Sequence, residues 1–225
     1  MKKIVIAVDG FSSCGKSTLA EQMADQLNYI FVDSGAMYRA ITLFFLRKGV
    51  DLNNKELVKE ELQHIKLEFV NNNSSTKSNL LLNGENVDGL IRDMIISDKV
   101  SEVAAIKEVR EFAVIQQRKM GEKKGLVMDG RDIGTTVFPN AELKIFIIAE
   151  PEIRADRRFK ELVETNPSIT LEEIRKNLEM RDYIDSHREI SPLRQAKDAI
   201  ILDNSHLSRK AQLAQALKWV EEKTI

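Results

Sequence analysis

The sequence predicts an α/β fold in which a mainly parallel sheet lies between two layers of helices. Short β-branched runs alternate with longer segments whose apolar residues recur every three or four positions. A glycine-rich segment joins the first of these strands directly to the first helix. One segment in the middle instead alternates apolar and polar residues and contains an Asn-Gly pair. We therefore expect a three-layer main fold with a small antiparallel sheet inserted into it.

The first two strand-helix units are predicted from the N-terminal part of the chain. Residues 4–8 form a β-branched apolar run, which is typical of a parallel strand buried on both faces. Apolar residues at four-residue spacing follow from Lys16 and predict a helix. A second strand is predicted over residues 30–32, and a second helix over residues 34–48, which Gly49 ends.

Residues 65–88 are predicted to form the inserted sheet of three strands. The two-residue period begins at Ile65 and indicates a half-exposed strand. The polar tract over residues 71–79 is interpreted as a hairpin loop, with a disordered linker as the alternative. Asn83 and Gly84 form the strongest short signal for a second, tight hairpin.

The rest of the chain is predicted to return to alternating strands and helices. Thr170 and Glu173 have the spacing of a capping box at the start of one helix. No internal repeat is found. The predicted elements are a helical stretch over 92–123, strands over 126–129 and 143–149, helices over 151–163 and 170–187, a strand over 199–202 and a terminal helix.

Composition excludes several classes of function. The chain has 225 residues, a size that suits one principal domain with small insertions. Its 34 basic and 35 acidic residues leave a net charge of -1, so no overall attraction favours nucleic acid or an anionic membrane. No apolar run is long enough to span a membrane. The lone Cys14 excludes an intrachain disulfide framework and fits a reducing compartment. We expect a cytoplasmic monomer without nucleic-acid or membrane partners.

Residues 10–17, GFSSCGKS, match the phosphate-binding pattern GxxxxGK[ST] between a predicted strand and a predicted helix. Glycines let backbone N–H groups turn toward phosphate oxygens, and the helix N-terminus adds positive charge. Lys16 is expected to contact the β and γ phosphates, and the Ser17 hydroxyl to bind Mg²⁺. A glycine-rich turn with an accidental Lys-Ser pair is the alternative. The residues predicted to bind ATP here are Gly10, Phe11, Ser12, Ser13, Cys14, Gly15, Lys16, Ser17 and Thr18.

Asp129 ends a hydrophobic predicted strand, which is the arrangement that places a Walker B carboxylate beside the magnesium of a P-loop. A simple Asp-Gly turn at the strand end is the alternative. The chain has no Asn-Lys-x-Asp segment for reading guanine. A GTPase is therefore disfavoured.

Phosphoryl transfer between two nucleotides requires arginines from several segments, because two highly anionic groups must be brought together. Arg181, Asp185 and Arg188 are spaced to share one face of a helix. Taken alone, that helix would be interpreted as a solvated charged face. The candidate arginines are Arg39, Arg131, Arg154, Arg157, Arg158, Arg181 and Arg188.

Four segments in order resemble the bacterial cytidylate kinases: GFSSCGKSTLA, DSGAMYRA, MDGRDIGTTVFP, and RDYIDSHREISPL followed by DAIILDNS. The resemblance covers nearly the whole chain. It implies a P-loop NTP hydrolase-like fold and transfer of the γ-phosphoryl group of ATP, with Mg²⁺, to CMP and dCMP in pyrimidine nucleotide metabolism. Ser12, Ser13 and Cys14 depart from the smaller residues of many relatives but keep the spacing.

The resemblance also implies roles for individual residues and regions. It implies that the acceptor phosphate is bound by Arg39, Arg131 and Arg188. The sugar would be contacted by Ser34, Arg181 and Asp185, and the cytosine by Ser101, Arg110 and Asp132. Arg154, Arg157 and Arg158 are implied as lid arginines, with Arg154 and Arg158 binding ATP, and residues 203–207 as the adenine-side loop. Catalysis is assigned to Lys16, Asp129, Arg131, Arg157 and Arg188, with Asp129 behind the ligands that touch Mg²⁺. The implied regions are a core of 1–33, 93–150 and 190–225, an acceptor region of 34–92 and a lid of about 154–170.

Two of these assignments conflict with helix geometry. Ser101 and Arg110 are nine positions apart, or about 2.5 turns at ~3.6 residues per turn, and so lie on opposite faces of a straight helix. A shared site requires a break between them, and no glycine or proline predicts one. For Asp132, the alternative to contact with the base is a pair with Arg131 or a turn cap.

Two other functions stay open from the residues alone. One is another small-molecule P-loop kinase, acting on uridylate, adenylate or shikimate. The other is a nucleotide-binding module that senses ATP without catalysis. The intact set of Lys16, Ser17 and Asp129 argues against the second.

Overall fold

The structure is a computed structural model that describes residues 2–71, 78–164 and 166–224. The strands are β1 Val5–Gly10, β2 Ile30–Asp33, β3 Leu67–Asn71, β4 Ser78–Leu82, β5 Glu85–Asn86, β6 Leu126–Gly130, β7 Leu143–Ile148 and β8 Ile200–Asp203. The helices are α1 Lys16–Leu27, α2 Ser34–Lys48, α3 Lys55–Leu62, α4 Met94–Ala105, α5 Lys107–Gly121, α6 Pro151–Leu162, α7 Leu171–His187 and α8 Arg209–Thr224. A 3-10 turn, Leu90–Arg92, and a π-helical turn, Ile133–Val137, complete the described elements.

The main sheet has five parallel strands in the order β2-β6-β1-β7-β8. Successive side chains of a strand point to opposite faces, so β1 contributes to two cores. Ile6 and Val8 pack with α1 and α8, whereas Val5 and Ala7 pack with α2 and the helices that follow it. The predicted three-layer α/β fold is confirmed.

The inserted sheet is antiparallel with the order β3-β4-β5, as predicted. Asn83 and Gly84 have positive φ values of 51° and 86°, which suit the tight turn between β4 and β5. The loop expected over 71–79 is shorter at its ends, because β3 reaches Asn71 and β4 begins at Ser78. Residues 72–77 of that tract lie outside the described residues.

The helical stretch expected over residues 92–123 is helical in most of its length but is divided into two helices, α4 and α5. Ile106 is extended, with φ −67° and ψ 128°, and it separates α4 from α5. The Arg110 side chain donates from Nη1 to the Ala104 carbonyl at 3.2 Å, which satisfies a carbonyl that the break leaves without a helical partner. The break therefore removes the geometric conflict between Ser101 and Arg110.

Sequence reasoning also missed three short elements: α3, the 3-10 turn and the π-helical turn. Helix α3 begins after Asn54, whose side chain accepts from the Leu57 amide at 3.1 Å, and it buries only Val58 and Leu62. The π-helical turn has no periodic signal at all.

The proposed domain boundaries stay predictions. In the described ranges, no helix combines the length and the apolar content needed to cross a membrane.

Candidate active site

Steric contacts explain the two glycines that bound the phosphate loop. Gly10 has φ 151°, and a Cβ atom there would lie 2.2 Å from the Ile147 carbonyl oxygen. Gly15 has φ 95°, and its Cβ would lie 2.4 Å from the Asn204 side-chain nitrogen. Any other residue at these positions would push the loop away from β7 or from the loop that follows β8.

Lys16 lies buried across its own loop. Its Nζ donates to the Phe11 carbonyl at 2.6 Å and lies 3.8 Å from the Cys14 sulfur. Burial, followed by the charge of Arg131, lowers the pKa of Lys16. A phosphate group would relieve both effects, because it brings negative charge to a confined ammonium group.

Ser17 and Asp129 form the candidate Mg²⁺ position. The Ser17 hydroxyl donates to Asp129 Oδ2 at 2.7 Å. The other oxygen of the buried Asp129, Oδ1, has no hydrogen-bond partner in the described part of the chain. Burial, and after it the Asp33 carboxylate, raise the pKa of Asp129 to about 7. An orphaned buried carboxylate oxygen beside a hydroxyl fits a divalent cation, whose charge favours the ionised form.

Arg131 links the phosphate loop to α7. Its Nε donates to Asp185 at 2.9 Å and its Nη2 to the Ser12 hydroxyl at 2.7 Å. On the other side of the site, Arg39 pairs with Asp33 at 2.7 Å. Arg39 is therefore oriented by Asp33 at the end of β2, and Arg131, directly after β6, is oriented by Asp185 of α7. Both lie near the carboxyl ends of the parallel strands, where open α/β sheets bind ligands.

The guanidinium group of Arg181 is buried among other cations. It donates to the Ser97 hydroxyl at 3.0 Å. Burial, followed by the charges of Arg131, Arg39 and Arg158, lowers the pKa of Arg181 to about 9 despite the nearby Asp185. Arg39, Arg131 and Arg158 are each paired with a carboxylate, so the added charge of Arg181 leaves an excess of positive charge, which an anionic ligand would compensate.

Asp132 lies at the centre of a second buried charge cluster. One carboxylate oxygen pairs with Arg110, and the other lies 3.3 Å from Arg188. The Arg110 guanidinium group also lies 5.4 Å from the centre of the Tyr38 ring. The expected alternative, a pair between Asp132 and Arg131, is wrong because Arg131 is turned toward Asp185.

Helix α7 does not present a solvated charged face, because Arg181, Asp185 and Arg188 are all buried. Arg188 differs from expectation in one respect: α7 ends at His187, so Arg188 already lies outside the helix. It donates from Nε and Nη2 to the Ser191 carbonyl at 2.9 and 2.7 Å. Its predicted contact with the acceptor phosphate stays a prediction.

The three lid arginines point in different directions. Arg154 pairs with Asp182 at 2.7 Å and donates to the Ser12 carbonyl at 3.2 Å. Arg157 donates to the Asn204 carbonyl at 2.7 Å. Arg158 instead pairs with Glu161 and donates to the Arg92 carbonyl, on the acceptor side. Arg154 and Arg157 therefore lie near the phosphate loop, whereas Arg158 joins Arg39 and Arg181.

The remaining predicted residues lie around these groups. The Ser34 hydroxyl donates to the Asp129 carbonyl at 2.6 Å. Ser101 is buried on α4, one turn after Ser97. Phe11 lies under the Arg154 guanidinium group at 5.4 Å. Their roles toward a nucleotide stay predictions.

Asp9 was missed by sequence reasoning. Its buried carboxylate accepts from the backbone amides of Ile133 and Gly134, both at 2.7 Å. Burial raises the pKa of Asp9 from its ordinary 3.8 to about 6. A carboxylate at the end of a fully buried strand, directly before the first loop glycine, was the available signal.

Asp9→Asn is expected to change how stability depends on pH. Because the folded-state pKa of about 6 lies above the ordinary 3.8, Asp9 contributes stability that is complete below 3.8 and is lost as pH rises through 6. The variant lacks this titration, so its free energy of unfolding relative to wild type should rise by roughly 1–3 kcal/mol between about pH 4 and pH 7. Urea unfolding over a pH series measures this. Glu172→Gln, an exposed change on α7, is the control, and a pH-independent difference would contradict the expectation.

Comparison with known proteins agrees with this geometry. The family model described as Cytidylate kinase matches residues 6–222. A cytidylate kinase of Bacteroides thetaiotaomicron is 53% identical over 225 residues, which cover 99% of this chain and 96% of the relative. Another, of Flavobacterium psychrophilum, is 54% identical over 223 residues, covering 98% and 99%. A crystal structure of a protein from Eubacterium ventriosum has a TM-score of 0.51 at 13% identity, covers 98% of this chain and 99% of its own, and shows a likeness of fold alone. The chain belongs to the cytidylate kinase family.

Proposed function

We propose that the chain transfers the γ-phosphoryl group of ATP to CMP, and also to dCMP, giving ADP and the pyrimidine nucleoside diphosphate. The enzyme is an ATP-dependent CMP kinase. The observation that carries the proposal is the buried Arg181, which donates to the Ser97 hydroxyl and has no carboxylate pair in the described residues, beside Arg39 and Arg131 and next to the phosphate loop. Such a site suits two phosphate groups that must approach each other.

The acceptor requires no general base. A phosphate monoester has a second pKa near ~6, so at neutral pH it is mostly a dianion and already a nucleophile. Catalysis then depends on in-line alignment and on charge neutralisation. In this assignment Lys16 meets the transferring phosphoryl group, whereas Arg39, Arg131 and Arg188 hold the acceptor phosphate.

Ser17 would bind Mg²⁺ directly through its hydroxyl oxygen. Asp129 would not touch the ion but would orient its ligands by hydrogen bonds, as it does for Ser17. The residues fit because Asp129 Oδ1 has no partner in the described chain while Oδ2 already orients the Ser17 hydroxyl. With Ser17 and Asp129 in these positions, a bound divalent cation would supply positive charge against the charge that develops during phosphoryl transfer. Loss of turnover on adding a chelator, with recovery on adding Mg²⁺, tests this assignment.

The lid arginines are proposed to keep water from the transferring group. Arg154 already contacts the Ser12 carbonyl, and Arg157 contacts the carbonyl of Asn204 on the adenine side. In the proposal, a lid held by such contacts closes over ATP. Exclusion of water prevents hydrolysis of ATP when no acceptor is bound.

Arg131→Ala is expected to weaken use of CMP by about tenfold or more while ATP binding stays close to wild type. The guanidinium group is aimed between Asp185 and the phosphate loop, where an acceptor phosphate would meet the donor. Calorimetry with ATP and with CMP separately measures the two affinities. Arg47→Ala, which removes a surface pair with Glu85, is the control. Equal loss for both ligands would assign Arg131 a structural role.

One assay separates this function from its rivals. ADP release is measured with ATP and each of CMP, dCMP, UMP, AMP and shikimate in turn. We expect CMP and dCMP to give the highest kcat/KM. A preference for UMP, AMP or shikimate would contradict the assigned acceptor, and no turnover with any acceptor would favour a sensing role.

We also propose a monomeric enzyme in the cytoplasm, with no nucleic-acid or membrane partner. The near-neutral charge and the lone, buried Cys14 support this. Sedimentation velocity at micromolar concentration tests the oligomeric state. A stable dimer would contradict it.

A further inference from the structure

Asp9 connects the ATP side of the sheet to the segment that carries Asp132. It is the last residue before Gly10 of the phosphate loop, and it pairs in register with Gly130 of the neighbouring strand. Its two carboxylate oxygens each accept one backbone amide, from Ile133 and Gly134 at 2.7 Å. The Asp9 side chain is not among the residues proposed to contact ATP or CMP.

The two amides belong to the first residues of the π-helical turn Ile133–Val137. Amides at the start of a helical turn have no partner within it and need an outside acceptor. The later amides of Thr136 and Val137 bond to the Asp132 carbonyl at 2.8 and 3.2 Å. Asp132 is therefore held by its backbone at the start of a turn that is itself anchored on Asp9.

This anchoring has a consequence for the side chain of Asp132. That carboxylate pairs with Arg110 and Arg188, and both pairs are buried. A shift of the turn would move the carboxylate relative to two fixed guanidinium groups. In a site that orients a ligand, a displacement of only about 1 Å lowers the reaction rate substantially.

We propose that Asp9 is a positioning residue that sets the choice of acceptor base through Asp132, without touching either nucleotide. The proposal rests on the proposed function, in which Asp132 faces the cytosine. It predicts that the donor side is largely spared, because both side-chain hydrogen bonds of Asp9 run to the turn and only its charge acts on Lys16 of the phosphate loop.

The test measures kcat/KM for CMP and UMP on Asp9→Asn. An asparagine can accept only one of the two amides, and its NH₂ group opposes the other. The ratio of the two kcat/KM values should fall about threefold to tenfold, while the Kd for ATP stays within about twofold. Glu142→Gln is the matched control, since Glu142 also accepts a backbone amide of β1, from Val5 at 2.9 Å, but at the opposite end of the strand.

A second variant perturbs the same contact from its other side. A Cβ at Gly134 would lie 3.3 Å from Asp9 Oδ2 and 3.1 Å from Lys144 Cδ, so Gly134→Ala should push the turn from Asp9 and lower the ratio in the same direction. Thermal unfolding shows which variants fold. If Asp9→Asn does not fold, Gly134→Ala decides.

A double variant tests whether the effect passes through Asp132. In an Asp132→Asn background, adding Asp9→Asn should change the ratio by less than about twofold. Independent, multiplying losses would overturn the proposal. So would an unchanged ratio in the variants that fold, provided the wild type prefers CMP. Equal use of CMP and UMP by the wild type would contradict the proposed function first and this inference with it.

Discussion

Replacing Lys16 with alanine is expected to lower kcat by ~10²- to 10³-fold while changing the KM for CMP far less. The buried ammonium group is held at the phosphate loop by the Phe11 carbonyl, 2.6 Å away. In the proposed assignment it meets charge on the transferring phosphoryl group rather than on the cytosine. Steady-state kinetics with saturating ATP and varied CMP measure both parameters.

The control for Lys16→Ala is Lys48→Ala, which removes an exposed ammonium group at the end of α2. We expect the control to keep wild-type kinetics. A near-normal kcat for Lys16→Ala would refute the assignment of the phosphate loop. A large rise in KM for CMP with unchanged kcat would place Lys16 on the acceptor instead.

Asp132→Asn is expected to erode discrimination between CMP and UMP. Cytosine presents an amino donor where uracil presents a carbonyl acceptor, so a carboxylate favours the first and repels the second. An amide can turn either its oxygen or its NH₂ group toward the base. The difference in activation free energy between the two substrates should fall by ~1–3 kcal/mol, so the ratio of their kcat/KM values should fall by about one to two orders of magnitude.

The structure sharpens this experiment. Both oxygens of Asp132 already contact guanidinium groups, of Arg110 and Arg188, so loss of its charge leaves two buried cations less well compensated. Urea unfolding of the variant separates lost stability from lost selectivity. If CMP and UMP lose kcat/KM together, Asp132 is structural, and an unchanged ratio would refute base reading.

Local signals were sufficient for much of the fold. Helix α2 is predicted and observed over Ser34–Lys48, because it begins directly after β2 and Gly49 ends it with φ 63°. The capping box of Thr170 and Glu173 is present as predicted. The phosphate loop could also be recognised, since its glycines are required by the backbone itself. These features depend on residues close together in the chain.

Features that depend on residues far apart in the chain could not be predicted from local sequence. The break at Ile106 has no glycine or proline, and the Arg110 side chain that satisfies Ala104 is itself held by Asp132, 22 positions away. Asp9 contacts amides more than a hundred positions away. Nothing near Asp9 in the chain indicates those partners.

The sequence by itself therefore determined the order of the strands, most of the helices, the inserted sheet and the phosphate loop, and it supplied the candidate arginines. Only the tertiary structure decided which arginine faces which carboxylate: Arg131 turns to Asp185, whereas Arg188 reaches Asp132. The reason is physical. Backbone preferences and apolar periodicity act over a few residues, but a buried charge must find a partner wherever the packed chain brings one within reach.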